Sequence, residues 1–301
     1  MIFIQLGIFL LMIMLGFMAR KIKLLDEKAH TPLGTLVFNI SMPLMVFCSI
    51  SSTLTRDLLQ KAGIILIIAV CTYLGCLLLS YLYVKLLRIK EEEKGVHQYC
   101  FAFSNVAFIG IPLINAFWGD EGIIYVSIFA VVFSCFNSTI GISLLSNKST
   151  KGDPFQVFKM PPFWGSVFGI LFGVLGLRVP EIIFSNLQII GNMTTPLAMI
   201  FIGLTLANSN ITVVGKYKAV FVTVLFRLVI LPAACFLILR YIFTDYYTYS
   251  IPTLIVATPF ATMLTLFAEK QGSNVELASF ASVVGAACSM ITIPIWALIL
   301  L

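Results

Sequence analysis

The sequence predicts an all-α polytopic membrane protein: ten transmembrane helices arranged as two inverted five-helix repeats. Three observations predict it. Hydrophobic residues make up 60% of the 301-residue chain and charged residues 11%, with a mean hydropathy of +1.04, where a soluble domain carries roughly 25% charged residues. Lysine and arginine alternate between successive loops. The two halves share motifs at one offset. The short strands of alternating hydrophobicity that a β-barrel needs are absent.

A helix crosses a bilayer with about 20 apolar residues. The expected spans are 1–19, 32–50, 62–84, 96–118, 122–145, 162–180, 190–207, 219–239, 251–269 and 277–300. The first lacks the basic start and small-residue cleavage site of a secretory signal, so it reads as a span. The stretch 177–190 has room for a short interfacial helix. Of the 19 basic residues, 14 fall in the loops after spans one, three, five, seven and nine. Arg56, Lys61, Arg178 and Arg240 lie on the other side, and Arg227 lies within span eight. Basic loops stay in the cytoplasm. The chain is therefore expected in the cell membrane as a multi-pass protein with both termini extracytoplasmic.

The repeat is legible in three places. Asn39-Ile-Ser-Met-Pro43-Leu44 in span two matches Asn192-Met-Thr-Thr-Pro196-Leu197 in span seven at an offset of 153. Ser127 and Val131-Val132 in span five match Ser279 and Val283-Val284 in span ten at an offset of 152. Spans four and nine, in the same register, are both interrupted: Ser104-Asn105 with Gly110 and Pro112 in one, Thr258-Pro259 with Thr262 in the other. Five spans per copy is an odd number, so the second copy is inverted. The expected organisation is repeat one over 1–145, a cytoplasmic linker over 146–161 and repeat two over 162–301. Pro43 and Pro196 are expected to kink their helices.

The motifs Ser104-Asn105-x-x-Phe108-x-Gly110-x-Pro112-Leu113, Asn39-x-x-x-Pro43, Arg227-x-x-x-x-Pro232 and Thr258-Pro259, in this order, resemble the auxin efflux carrier family. That family includes bacterial malate and malonate permeases and the plant PIN auxin exporters. The resemblance covers essentially the whole chain. It implies a scaffold of spans one, two, six and seven, often used for homodimerisation. It implies a transport domain of spans three to five and eight to ten, in which broken helices four and nine cross. Substrate would bind at the crossover and move by an elevator mechanism. The chain departs from plant exporters in its short loop between spans five and six and in having Asn105-Val-Ala where they have Asn-Pro-Asn.

Broken helices suit an anion because each second half starts inside the membrane with unpaired N–H groups and partial positive charge. Ser104, Asn105, Gly110, Pro112, Thr258, Pro259 and Thr262 are the candidate substrate-binding residues, joined by Asn137 in span five and Arg227. The alternative is that Pro112 and Pro259 only kink continuous helices, with polar side chains satisfying freed backbone groups. Arg227 is either a direct substrate contact or a buried ion that organises the transport domain, and Asn137 either faces substrate or makes an interhelical hydrogen bond. The sequence thus points to a secondary carrier of a small organic anion, a dicarboxylate or an auxin-like aromatic acid; the alternatives are a passive channel or a carrier of a neutral solute.

Other classes are disfavoured. No mid-membrane carboxylate pair, HExxH, GxSxG or phosphate-binding loop is present, so no enzyme activity is expected. The net charge of +6 sits in topology-setting loops and does not indicate nucleic acid. The seven cysteines show no paired spacing and read as apolar packing residues. His30 and His97 are expected in solvated loops. No cofactor or metal is expected, and H+ or Na+ coupling is left open. The expected partners are the lipid bilayer, the organic anion and a second copy of the chain.

Overall fold

The computed structural model describes residues 2–146, 154–207, 216–261 and 264–301. Lys148, Lys151 and Thr262, which entered the sequence argument, lie outside them. Backbone in hydrocarbon must satisfy its own hydrogen bonds, and the described chain is helical nearly throughout, with no strand longer than an isolated bridge.

The helices are α1 (Ile2–Lys21), α2 (His30–Thr53), α3 (Arg56–Leu86), α4 (Glu91–Ala102), α5 (Val106–Leu145), α6 (Pro161–Leu175), α7 (Glu181–Ala207), α8 (Ala219–Ile242), α9 (Tyr246–Val256), α10 (Leu264–Gln271) and α11 (Val275–Leu300). Six of them, α2, α3, α5, α7, α8 and α11, are long and apolar enough to cross a membrane. Among the described residues ten separate long helices are not seen. The expected fourth and ninth spans are each divided, α6 has only 15 residues, and α5 runs for 40. α5 turns at Gly119, whose φ of 63° favours glycine; that turn falls between the expected spans four and five. α7 begins at Glu181, so the stretch read as an interfacial helix joins span seven through the helical Met193.

A widened turn precedes three of the prolines. The π-turns Val37–Ser41, Val106–Gly110 and Phe226–Ile230 each end two residues before a proline: Pro43, Pro112 and Pro232. Proline has no N–H and its ring crowds the carbonyl four residues back. The helix answers by widening one turn and continuing. The Met42 amide reaches back five residues to Val37, and the Leu231 amide to Phe226. Pro232 frees the Leu228 carbonyl, which accepts the indole N–H of Trp296 at 2.8 Å.

The chain divides into two compact units. Unit 1 comprises 1–66, 107–131 and 155–208. Within it α1 packs along α7 and α2 along α6. Glycines let these backbones meet: a Cβ on Gly165 would press on Pro43, on Gly169 on Ile50, and on Gly173 on Leu54. Both residue numbers rise together, so α2 and α6 run parallel. Small residues at this spacing are a common helix-packing device in membranes. Asp120 accepts the Ser49 hydroxyl at 2.6 Å. His30 is half-buried, not in a solvated loop: its ring stacks 4.2 Å from Phe201 and its Nε2 lies 2.9 Å from the Thr205 hydroxyl.

Unit 2 comprises 67–106, 132–154 and 209–301. α4 is central to it. Gly95 lets α4 approach the Leu144 backbone, which a Cβ would meet at 1.9 Å. His97 is only 2% exposed, again against the loop expectation. Its Nδ1 lies 2.7 Å from the Thr223 hydroxyl, which also lies 2.7 Å from the Tyr83 hydroxyl. A polar, helix-compatible residue seven positions before Ser104 gave no sequence signal of burial; the Thr223 hydroxyl on α8, itself bonded to Tyr83 on α3, supplies the reason for it.

Candidate functional site

Two helix ends meet within unit 2. Thr258 precedes a proline, which disfavours helical conformation at that residue, and α9 stops with Val256. α4 stops with Ala102, and Phe103 is extended at φ −106°, ψ 111°. The two extended segments then pair in antiparallel fashion. The Asn105 amide donates to the Pro259 carbonyl at 2.8 Å, the Ala261 amide donates to the Phe103 carbonyl at 3.2 Å, and Ser104 lies opposite Phe260. Each break thereby supplies hydrogen-bond partners that the other needs in a buried setting.

This pairing brings together Ser104, Asn105, Thr258 and Pro259. All four are buried, Asn105 at 5% exposure. The Ser104 and Tyr73 hydroxyls are 3.4 Å apart, a weak contact. The Thr258 hydroxyl donates to the Ile255 carbonyl at 2.7 Å, so it caps its own helix end. Gly110 and Pro112 lie beyond the break, in the π-turn and the following helical turn that open α5. Pro112 is therefore not what interrupts the helix: the interruption precedes it, at Phe103–Asn105.

Arg227 belongs to the same assembly. Its guanidinium is fully enclosed, with 1% of the residue exposed. Nη1 donates to the Phe101 carbonyl at 3.0 Å and Nε to the Thr258 carbonyl at 3.3 Å. These carbonyls terminate α4 and α9, so one cation serves both helix C-termini. The π-turn that Pro232 imposes on α8 contains Arg227.

Asn137 lies in the π-turn Asn137–Gly141, which has no proline after it. Its Oδ1 accepts the Tyr99 hydroxyl at 2.7 Å, linking α5 to α4 one turn before the break. Gly141 completes the contact, since a Cβ there would meet Asn137 Oδ1 at 2.8 Å and the Phe103 ring at 3.2 Å. Asn137 thus makes an interhelical hydrogen bond. Tyr99→Phe removes the donor and leaves a buried amide oxygen short of a partner, at a cost of about 1–3 kcal/mol. A lowered melting temperature with no change in helix content by circular dichroism is expected; an unchanged melting temperature would show the bond to be dispensable.

Sequence reasoning missed Tyr73, Tyr99 and the Phe101 carbonyl. Aromatic residues in an apolar run carry no mark of their hydroxyl partners, and a backbone carbonyl is not written in the sequence. Among the described residues no cluster of histidine, cysteine and acidic side chains could hold a metal ion.

Relatives place this geometry in context. A family described as membrane transport protein matches residues 1–297. An uncharacterized transporter of Methanothermobacter thermautotrophicus is 25% identical over 297 residues, covering 97% of this chain and 96% of the relative. One from Methanocaldococcus jannaschii is 23% identical over 304 residues, covering 98% and 97%. The uncharacterized transporter YfdV of Escherichia coli is 21% identical over 211 residues, 66% of each chain. The match runs nearly end to end, and the chain accordingly belongs to the membrane transport protein family, the auxin efflux carrier group whose motifs its sequence carries.

Proposed function

We propose that this transporter is a secondary carrier of a small organic anion, bound where the broken helices cross and moved by elevator-type alternating access. The observation that carries the reading is the pairing of Asn105 with Pro259. It sets two interrupted helices side by side, with helical chain resuming at Val106 and at Leu264. Each such start carries about half a positive charge, about one in all. A carboxylate is the matching ligand. A fully ionised dicarboxylate would leave one charge uncompensated, so monoanionic acids, or dicarboxylates in their half-protonated form, fit best.

The ten-span inverted repeat accounts for further features. A two-fold relation between halves exchanges spans one and six, and two and seven. It therefore requires that packing of one on seven be mirrored by six on two, and α1 on α7 with α2 on α6 is that pair. Spans one, two, six and seven are assigned to the scaffold and the others to the transport domain; unit 1 holds the four scaffold spans with residues 62–66 and 107–131, and unit 2 holds the rest of spans three to five with spans eight to ten. Exposed apolar faces on α1 and α3 suit lipid or a second scaffold. Both termini are assigned to the outside on the distribution of basic loops.

The test is a thermal-shift screen of the purified chain with lactate, indole-3-acetate, malate, malonate, succinate and citrate at two pH values. A ligand at one hundred times its Kd stabilises the folded state by about 2.7 kcal/mol. A rise in melting temperature is expected with a monoanion, and with dicarboxylates only toward low pH. Stabilisation by neutral solutes alone would replace the anion reading.

A further inference from the structure

The two helix C-termini in unit 2 carry about half a negative charge each, about one in all. Broken helices in transporters commonly leave such carbonyl ends to coordinate a dissociable Na+ or H+. Here the position is filled by part of the chain. Arg227 donates to Phe101 at the end of α4 and to Thr258 at the end of α9. Its single positive charge matches the summed charge of the two ends. A second cation at the same carbonyls would sit beside a buried guanidinium with nothing left to balance it.

The helix that carries Arg227 is held in place on either side of it. One turn back along α8, Thr223 meets His97 and Tyr83; His97 lies one turn before Phe101 on α4. One residue forward, the Leu228 carbonyl is taken by Trp296. α8 is therefore fixed to α4 at two successive turns and to α11 at a third point. The titratable side chains that sense Arg227 are Tyr73, Cys76, Cys100 and Cys235. None is a carboxylate, so among the described residues no acid competes with the helix ends for the charge.

We infer that Arg227 is a tethered cation that replaces a dissociable alkali ion at the crossover, so that the broken helices are held together with no Na+ requirement. For transport, this deepens the organic-anion reading above: carriage of the acid would not be sodium-coupled through these carbonyls. Arg227 is accordingly a positioning residue through its Nε and Nη1.

The experiment compares melting temperatures of the full-length chain in NaCl, KCl and choline chloride at equal ionic strength, for the wild type, Arg227→Lys and Arg227→Gln. The wild type is expected to melt alike in all three salts. Arg227→Gln is expected to melt roughly 5–10 °C lower in choline and to recover in part when Na+ or K+ replaces choline. Arg227→Lys, which keeps the charge, is expected to show no such salt preference. A packing role alone would lower stability without creating dependence on a small cation. A wild-type melting temperature that rises in Na+ overturns the inference, as does an Arg227→Gln protein indifferent to cation. Should Arg227→Gln fail to fold, Arg227→Met, which also removes the charge, is compared in the same three salts with the same two outcomes, and a wild-type melting temperature that rises in Na+ still overturns the inference. No acid enters these measurements, so their failure leaves the anion reading standing, and failure of every acid to bind leaves them untouched.

Discussion

Gly203→Ala is expected to destabilise the protein more than any other single methyl addition to unit 1. A Cβ at position 203 would sit 2.1 Å from the Ile13 carbonyl oxygen and 2.7 Å from the Phe17 nitrogen. Across the same contact, a Cβ on Gly16 would sit 2.2 Å from the Ile200 oxygen. α1 and α7 therefore meet backbone to backbone. A crowded side chain can rotate away; a helix backbone has to move as a body and takes its neighbours with it. Overpacking of this kind costs typically 1–3 kcal/mol and more where nothing can yield. At roughly 2–4 °C per kcal/mol, a fall in melting temperature of about 6 °C or more is expected. The control is Gly63→Ala or Gly75→Ala on α3, where a Cβ meets nothing within 4 Å. Removing glycine from an open helix position stabilises by roughly 0.4–1 kcal/mol, so these variants should melt no lower than the wild type. A Gly203→Ala protein as stable as its controls would mean that α1 and α7 do not pack this closely.

The contrast among these glycines shows where sequence reading stops. Hydrophobic length and the spacing of basic residues reach the existence of helices, because lipid imposes one rule on every span. They do not distinguish Gly203 from Gly75, since both stand in apolar helices and only the partner differs. The same limit applies to proline. Pro43, Pro112 and Pro232 announce a disturbance, and the disturbance is there, but as a π-turn ending two residues earlier. The break in α4 has no proline of its own. It forms at Phe103–Asn105 because the segment before and after Pro259 offers it hydrogen-bond partners. Thr258-Pro259 was legible as a break from local chemistry alone; Ser104-Asn105 was legible as polar residues in an apolar run, through its matching place in the other half and through the motif it shares with the family.

Arg227 was legible as an anomaly and not as a role. A lone charge in an apolar span is costly wherever it lies, and the sequence cannot say whether substrate, lipid headgroup or backbone compensates it. The two carbonyls that do so are 126 and 31 residues away. His97 illustrates the reverse error. A histidine just after a run of charged residues reads as solvated, yet it is buried, with Thr223 of another helix as its partner and Tyr83 bonded to that threonine in turn.

Asn105→Ala separates the two parts that a crossover must play. One contact that joins the broken helices is made by the Asn105 backbone amide. Alanine keeps that amide, tolerates extended backbone and adds no bulk, so the pairing with Pro259 should survive and the melting temperature should change little. What alanine removes is a buried amide group at the point where α5 begins, which in the proposed carrier would hydrogen-bond a carboxylate resting on the helix start. Loss of one hydrogen bond to a charged group costs about 1.5–3 kcal/mol, and each 1.4 kcal/mol is about tenfold in affinity. Uptake into proteoliposomes should therefore fall at least about tenfold at subsaturating substrate. The probe is whichever of labelled malate, malonate and indole-3-acetate the wild type accumulates. The thermal shift given by the same acid should disappear in the variant. Reduced uptake together with a large fall in melting temperature would assign the side chain to the fold instead. Wild-type uptake with an intact thermal shift would move the substrate away from the crossover altogether.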